Sequence, residues 1–98
     1  MLKDFRSYQM ALELYKRCEH IKAKAYLKDQ LERASLSVVL NLSEGSARPS
    51  SKERARFYSI SYASLKEVQS LLTILEQKES FKLADQLGGM IYKLTKMK

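Results

Sequence analysis

The sequence is poor in the residues that cross-link or interrupt a chain. Its 98 residues include one Cys, one Pro, one His and three Gly. A single Cys forms no internal disulfide, which suits a reducing compartment, and the cytoplasm is the expected location. So few Gly and Pro argue against a loop-rich or all-β architecture and favour helices. No stretch approaches the roughly 18 consecutive apolar residues that a membrane span needs. The N-terminus, MLKDFRSYQM, lacks the apolar core of a secretory signal, and Asp4 argues against a transit peptide.

The scarcity of His and Cys also empties the catalytic inventory. Cys18 and His20 lie two positions apart, so on a helix their side chains diverge and form no Cys–His pair. Cys18 falls in an apolar stripe and reads as a small core residue, and His20 reads as solvent-facing. Neither HExxH nor CxxC spacing is present, and nothing matches GxxxxGK[ST] or GxGxxG. The expectation is a non-enzymatic protein with no metal and no cofactor.

Charge and helical rhythm are what the chain does have. Hydrophobic residues make up 45% and charged residues 30%, a globular composition, and the length suits one domain spanning residues 1–98. A formal net charge of +7 points toward a polyanion or an anionic surface.

Four amphipathic segments follow one another. From Phe5 to about Lys22, stripes at Phe5, Tyr8, Leu12, Tyr15 and at Ala11, Leu14, Cys18, Ile21 have helical spacing, with Asp4 as the expected N-cap. KAKAY, residues 22–26, reads as a connector. A second helix runs from about Leu27 to Glu44. Its Leu27, Leu31, Ala34 and Val38 form one stripe, while Leu36, Val39, Leu40 and Leu42 spread over the remaining surface. A helix apolar nearly all round must be covered all round, which predicts contact with further copies of the chain.

Gly45 is expected as a left-handed residue closing this helix, with Pro49 just beyond. Ser50-Ser51-Lys52-Glu53 supplies a capping box for the third helix, about Ser51 to Gln77, roughly 40 Å long. Its stripes are Phe57, Ser61, Ser64, Val68, Leu71, Leu75 and Tyr58, Tyr62, Leu65, Leu72, the serines permitting close approach of a neighbour. The fourth helix begins near Ser80 and shows Leu83, Leu87, Ile91 and Leu94, with Met90 and Met97 alongside. Gly88-Gly89 inside it implies either a closely packed backbone or a kink. Short connectors give an all-α, antiparallel up-down-up-down four-helix bundle.

Polar residues on the central hairpin have a structural reading. With a turn near Arg48, Gln30 and Arg33 face Glu67 and Ser64, and Asn41 and Glu44 face Arg56 and Lys52. Gln30, Arg33, Asn41, Glu44 and Glu67 are therefore expected to form a polar network that fixes register. The candidate phosphate contacts are Arg48, Lys52 and Arg56 at the hairpin end, with Lys93, Lys96 and Lys98 at the C-terminus; Arg54 points elsewhere. Lys16, Arg17, Lys22, Lys24 and Lys28 enrich the end of the first helix. Tyr8, Tyr15, Tyr58 and Tyr62 fall in core stripes and read as packing residues rather than base-stacking ones.

QLERASLSVVLNLSEGSARPSSKERARFYSISYASLKE, residues 30–67, resembles a family of bacterial four-helix-bundle proteins encoded in intervening sequences of 23S ribosomal RNA genes. The accessory protein of diversity-generating retroelements belongs to the same group. The family pattern Q-x-x-R-A-x-x-S-I-x-x-N-I-A-E-G is matched by Gln30, Arg33, Ala34, Ser37, Val38, Asn41, Leu42, Ser43, Glu44 and Gly45. After a basic turn, R-F-x-x-I-A-x-x-S-x-x-E is matched by Arg56, Phe57, Ile60, Ser61, Ser64 and Glu67. The chain departs in carrying Tyr8 where many relatives have Trp, and in lacking a Pro in the first connector. The resemblance implies a homopentameric ring of bundles with a basic surface, binding RNA or DNA and, in the retroelement branch, a reverse transcriptase. The leading expectation is thus an oligomeric nucleic-acid-binding protein that contacts phosphates without reading sequence. The alternative is a scaffold whose charge complements an acidic protein partner such as a polymerase.

Overall fold

A computed structural model describes Leu2 and residues 5–96, and among these there are four α-helices and no strand. They are α1, Arg6–Glu19; α2, Ala25–Ser46; α3, Ser51–Ile74; and α4, Lys78–Lys96. Asp4, Met97 and Lys98 lie outside the described residues.

Each connector is too short to do more than reverse the chain, and cross-helix contacts show the reversal directly. Ser37 meets Ser64, Val38 meets Ser61 and Gly45 meets Tyr58 across α2 and α3. Tyr62 meets Tyr92 and Gln69 meets Asp85 across α3 and α4. The helices pack in the cyclic order α1, α2, α3, α4, giving an antiparallel bundle of 40 × 21 × 21 Å. The stripes read from helical spacing converge on one core. Leu14, Cys18, Leu31, Val38, Leu42, Leu65, Val68, Leu72, Leu87 and Ile91 are fully buried there.

Several boundaries differ from the sequence reading. Phe5, not Asp4, is the N-cap residue of α1, and no side chain caps it; the Phe5 ring instead packs edge-on against Tyr58 at 6.3 Å. α1 ends at Glu19 because Ile21 turns into the core and Lys28 gathers the loose carbonyls. The Lys28 ammonium donates to the carbonyl oxygens of Cys18, Glu19 and Ile21, at 3.0 Å to Cys18 and 2.7 Å to Ile21. A cation at a helix C-terminus also meets the negative end of its dipole.

Gly45 is not a left-handed terminator. It lies inside α2, and no glycine has positive φ. Its role is spatial, since a Cβ there would stand 2.7 Å from Tyr58 Cε1 and 3.2 Å from Phe57 Cβ. The left-handed residue is Glu76, at φ 56°. Around it the Gln77 N–H donates to Leu72 O at 2.9 Å and the Glu76 N–H to Thr73 O at 3.1 Å. That is the Schellman pattern, which ends α3 three residues short of Gln77 and lets α4 start at Lys78 rather than Ser80. Ser50 caps α3 as expected, its Oγ accepting from the Glu53 N–H at 3.1 Å.

Candidate nucleic-acid interface

The basic surplus is distributed unevenly. α1 and α2 together carry Arg6, Lys16, Arg17, Lys28 and Arg33 against Glu13, Glu19, Asp29, Glu32 and Glu44, and so are neutral. α3 and α4 carry Lys52, Arg54, Arg56, Lys66, Lys78, Lys82, Lys93 and Lys96 against Glu53, Glu67, Glu79 and Asp85. The difference shows in the contacts. Every ion pair among the described residues belongs to α1, α2 or the turn after α2: Glu13–Arg17, Lys28–Glu32, Asp29–Arg33 and Glu44–Arg48.

On α3 and α4 two of the six lysines, Lys66 and Lys96, lie over aromatic rings instead. Lys66 Nζ stands 5.0 Å from the Tyr62 ring centroid and Lys96 Nζ 5.2 Å from that of Tyr92. The two rings lie 5.7 Å apart, tilted by 55°. Contacts of this kind at exposed sites are worth about 0.5–1 kcal/mol, so they orient the ammonium groups without holding them. Between the helices lies an open groove of about 410 Å³, lined by Tyr62, Lys66, Asp85, Gly88, Gly89 and Tyr92. Behind Asp85, the buried Gln69 amide donates to Oδ1 at 3.5 Å, and Gln69 Oε1 has no hydrogen-bond partner.

The expected phosphate contacts fall into two groups. Lys93 and Lys96, with Lys52 and Arg56, are exposed. Arg48 is half-buried; it pairs with Glu44 at 3.1 Å and stacks over Phe57 at 4.9 Å, with Arg56 also near that ring at 5.9 Å. Arg54 does point elsewhere, donating to Arg48 O and Pro49 O at 3.0 Å and bracing the turn. Lys66 and Tyr92 are not singled out by the sequence, and Gly88-Gly89 reads there only as a close backbone contact or a kink. A signal for the lysines is there: Lys66, Lys93 and Lys96 have no acidic residue three or four positions away, whereas each observed ion pair is an i,i+4 pair.

The few residues with reactive chemistry are apart from this face. Cys18 is fully buried, and burial pushes its thiol up to about 11, despite a hydrogen bond with Ser35 and the nearby Lys28 charge. His20 is exposed and its Nδ1 lies 2.8 Å from Lys16 O. Among the described residues no group of three or more His, Cys, Asp or Glu is placed to hold a metal ion, and no helix is long and apolar enough to cross a membrane.

Residues 4–97 match the family model of the 23S rRNA-intervening sequence proteins. The chain belongs to that family. No curated protein and no solved structure matches it.

In this 23S rRNA-intervening sequence protein, the residues that carry the family resemblance occupy α2 and α3; of the polar residues expected to fix register, Asn41 joins a chain across the two helices, while Arg33 and Glu44 pair elsewhere. Ser64 pairs with Ser37 at 2.7 Å, one turn from Arg33, and Ser61 donates to Val38 O at 2.8 Å. The small hydroxyls let α2 and α3 approach closely and set their register. Arg33 pairs with Asp29 within α2, whereas Asn41 Nδ2 donates to Ser37 O at 2.9 Å and to Ser37 Oγ at 3.1 Å and so joins α3 through the Ser37–Ser64 bond. Glu44 pairs with Arg48 rather than with Lys52 or Arg56. Gln30 and Glu67 are exposed. These long side chains reach solvent or a neighbour one turn away before they reach the facing helix. By helical spacing, Arg33 and Glu44 share the outward face of α2 with exposed Leu36 and Leu40, and Arg56 and Glu67 share that of α3 with exposed Ile60 and Ile74.

Proposed function

We propose that the protein is a non-enzymatic, cytoplasmic, oligomeric nucleic-acid-binding protein that grips phosphates of RNA or DNA through the lysines of α3 and α4. One observation carries this reading: α3 and α4 hold +4 of the formal charge of +7, and among the described residues their cations have no ion-pair partners. A phosphate backbone supplies the missing anions, and releasing its condensed counterions drives binding. No helix stands free as a base-reading element, so the contacts position rather than specify. The family's name is in keeping with an RNA-linked role.

Assembly would multiply the field. Leu40 is 55% exposed and Ile74 62%, on the outward face of α2 and α3 that also carries Arg33, Glu44, Arg56 and Glu67. A mixed apolar and charged face of this sort suits contact between copies, and the family resemblance favours a homopentamer.

The test is an anisotropy titration of the purified protein with RNA and DNA from about 50 to 200 mM salt. Affinity should fall steeply and log-linearly with salt. A flat response, or no binding at the lowest salt, rejects phosphate binding and favours a scaffold for an acidic protein, such as a reverse transcriptase. Light scattering tests assembly, and a lone 11.3 kDa subunit at high concentration would reject it.

A further inference from the structure

Gly89 has no explanation inside the subunit. Glycine is the poorest helix former after proline, yet this one sits in the body of α4 without positive φ. Gly88 beside it is buried, with Leu65 Cδ2 3.4 Å from where a Cβ would be, so packing accounts for it. At Gly89 a Cβ would meet nothing within 4 Å. The missing side chain leaves bare helix backbone at the floor of the α3–α4 groove.

The walls of the groove give that opening a chemistry. Tyr92 is 49% exposed, and Tyr62 supports it from α3, the two ring centroids 5.7 Å apart. Lys66 and Lys96 lie over the two rings, held by weak contacts that an incoming π-face can replace. Asp85 is the one acid of the lining, an acceptor suited to an exocyclic amino group.

We propose that the Gly89 groove takes an unpaired base of single-stranded nucleic acid. The base lies on Tyr92 and against the bare backbone of Gly89, while Lys66 and Lys96 move from the rings to the phosphates on either side. The assignment rests on the phosphate-binding reading above and adds a preference for single strands. In a duplex the base faces are stacked on one another, so a duplex meets only the lysines, whereas an unpaired base offers its face to an aromatic ring. A second copy of the same groove is a poor occupant, because its rim carries the same charge.

The test uses the assembled protein and a fluorescent adenine-rich strand of about 20 nucleotides, alone or annealed to its complement, as DNA and as RNA. Tyr92→Leu and Gly89→Leu should each weaken single-strand binding about tenfold, the scale of one lost base stack, and leave duplex binding unchanged. Lys66→Gln with Lys96→Gln should weaken both. Gly89→Leu keeps every cation and improves helix propensity, so its melting temperature should hold or rise and its loss cannot be put down to misfolding. If both variants bind single strands as the natural protein does, the groove assignment is wrong while phosphate binding stands. If the natural protein binds neither form at low salt, phosphate binding fails and the groove with it. If Gly89→Leu changes the assembled mass, the groove is a contact between copies or a support for one, and the assignment is again overturned.

Discussion

The two halves of the bundle answer the same problem, how to place charge on an amphipathic helix, in opposite ways. α1 and α2 balance five basic residues with five acidic ones and tie four of their cations, or that of the adjoining turn, into i,i+4 pairs. Their connector is braced by Lys28, which closes the end of α1. α3 and α4 carry twice as many basic as acidic residues and, among the described residues, no ion pair, and their outer groove is lined by a glycine whose Cβ would meet nothing within 4 Å. Exposed pairs are each worth about 0–1 kcal/mol, so the contrast matters little for stability. It matters for the field, because charges neutralised by partners one turn away reach a ligand weakly, and unneutralised ones reach it in full.

The largest expected effect breaks this contrast by charge reversal. Lys66→Glu, Lys93→Glu and Lys96→Glu together should lower nucleic-acid affinity about a hundredfold at low salt. Lys16→Glu, Arg17→Glu and Lys22→Glu change net charge by the same amount at the far end of α1, and should cost less than about threefold. Equal losses in anisotropy titrations would mean that net charge alone, and not the α3–α4 face, governs binding.

Glycine sharpens the comparison on the side of packing. Gly45→Ala puts a methyl group 2.7 Å from Cε1 and 2.9 Å from Cδ1 of the buried Tyr58 ring, and 3.2 Å from Phe57 Cβ. Overpacking of this kind should destabilise by about 2 kcal/mol even after the gain in helix propensity. Gly89→Ala, with open space around it, should stabilise by about 1 kcal/mol. Urea melts of the two variants separate a glycine required by packing from one that packing does not require. Equal and positive changes would show that the α2–α3 contact is looser than the distances indicate.

Much of this was legible before any coordinates. Apolar spacing located the four helices, and Ser-x-x-Glu located the start of α3 at Ser50, because both depend on neighbours three or four residues away. Gly45 was misread because a glycine at the end of a periodic run looks the same whether the backbone or a facing ring requires it. Only the approach of Tyr58 from a different helix decides the matter. Of the polar network of Gln30, Arg33, Asn41, Glu44 and Glu67, Asn41 reaches α3 through Ser37 and the others do not, for a related reason. Sequence spacing puts residues level, but long side chains choose partners one turn away on their own helix, and the short serines do the bridging. The Tyr62–Tyr92 groove was illegible because it is shared by two helices, and neither shows it alone.

Cys18 tests the closed character of the α1–α2 half. Its thiol is pushed up to about 11 by burial, above the ordinary value of 9.0. A raised value means that the folded state holds the proton more tightly. The stabilisation is complete below the unfolded value and is lost as pH rises through the folded one, between about pH 9 and 11. A shift of this size corresponds to about 2–3 kcal/mol. Cys18→Ala removes the titration while keeping the site apolar, so its stability should fall less steeply over that interval. Parallel slopes for the two proteins would show that water reaches the thiol and that the core around it opens.

The smallest effect concerns the two turns. The α1–α2 connector needs no left-handed residue because Lys28 satisfies the carbonyls that α1 leaves open. The α3–α4 turn closes by backbone geometry, with Glu76 at φ 56°, and the Gln77 Nε2 donates to Leu75 O at 3.3 Å. A residue with a Cβ in that region is strained by roughly 1–2 kcal/mol, and glycine removes the strain while adding about 0.5–1 kcal/mol of unfolded-state entropy. Glu76→Gly should therefore stabilise the protein by about 0.5–1 kcal/mol, and it removes an acid from the cationic half at the same time. A gain in urea melts with unchanged nucleic-acid affinity would place Glu76 outside the binding face. A loss of stability would mean that its carboxylate, rather than the backbone alone, holds the turn together.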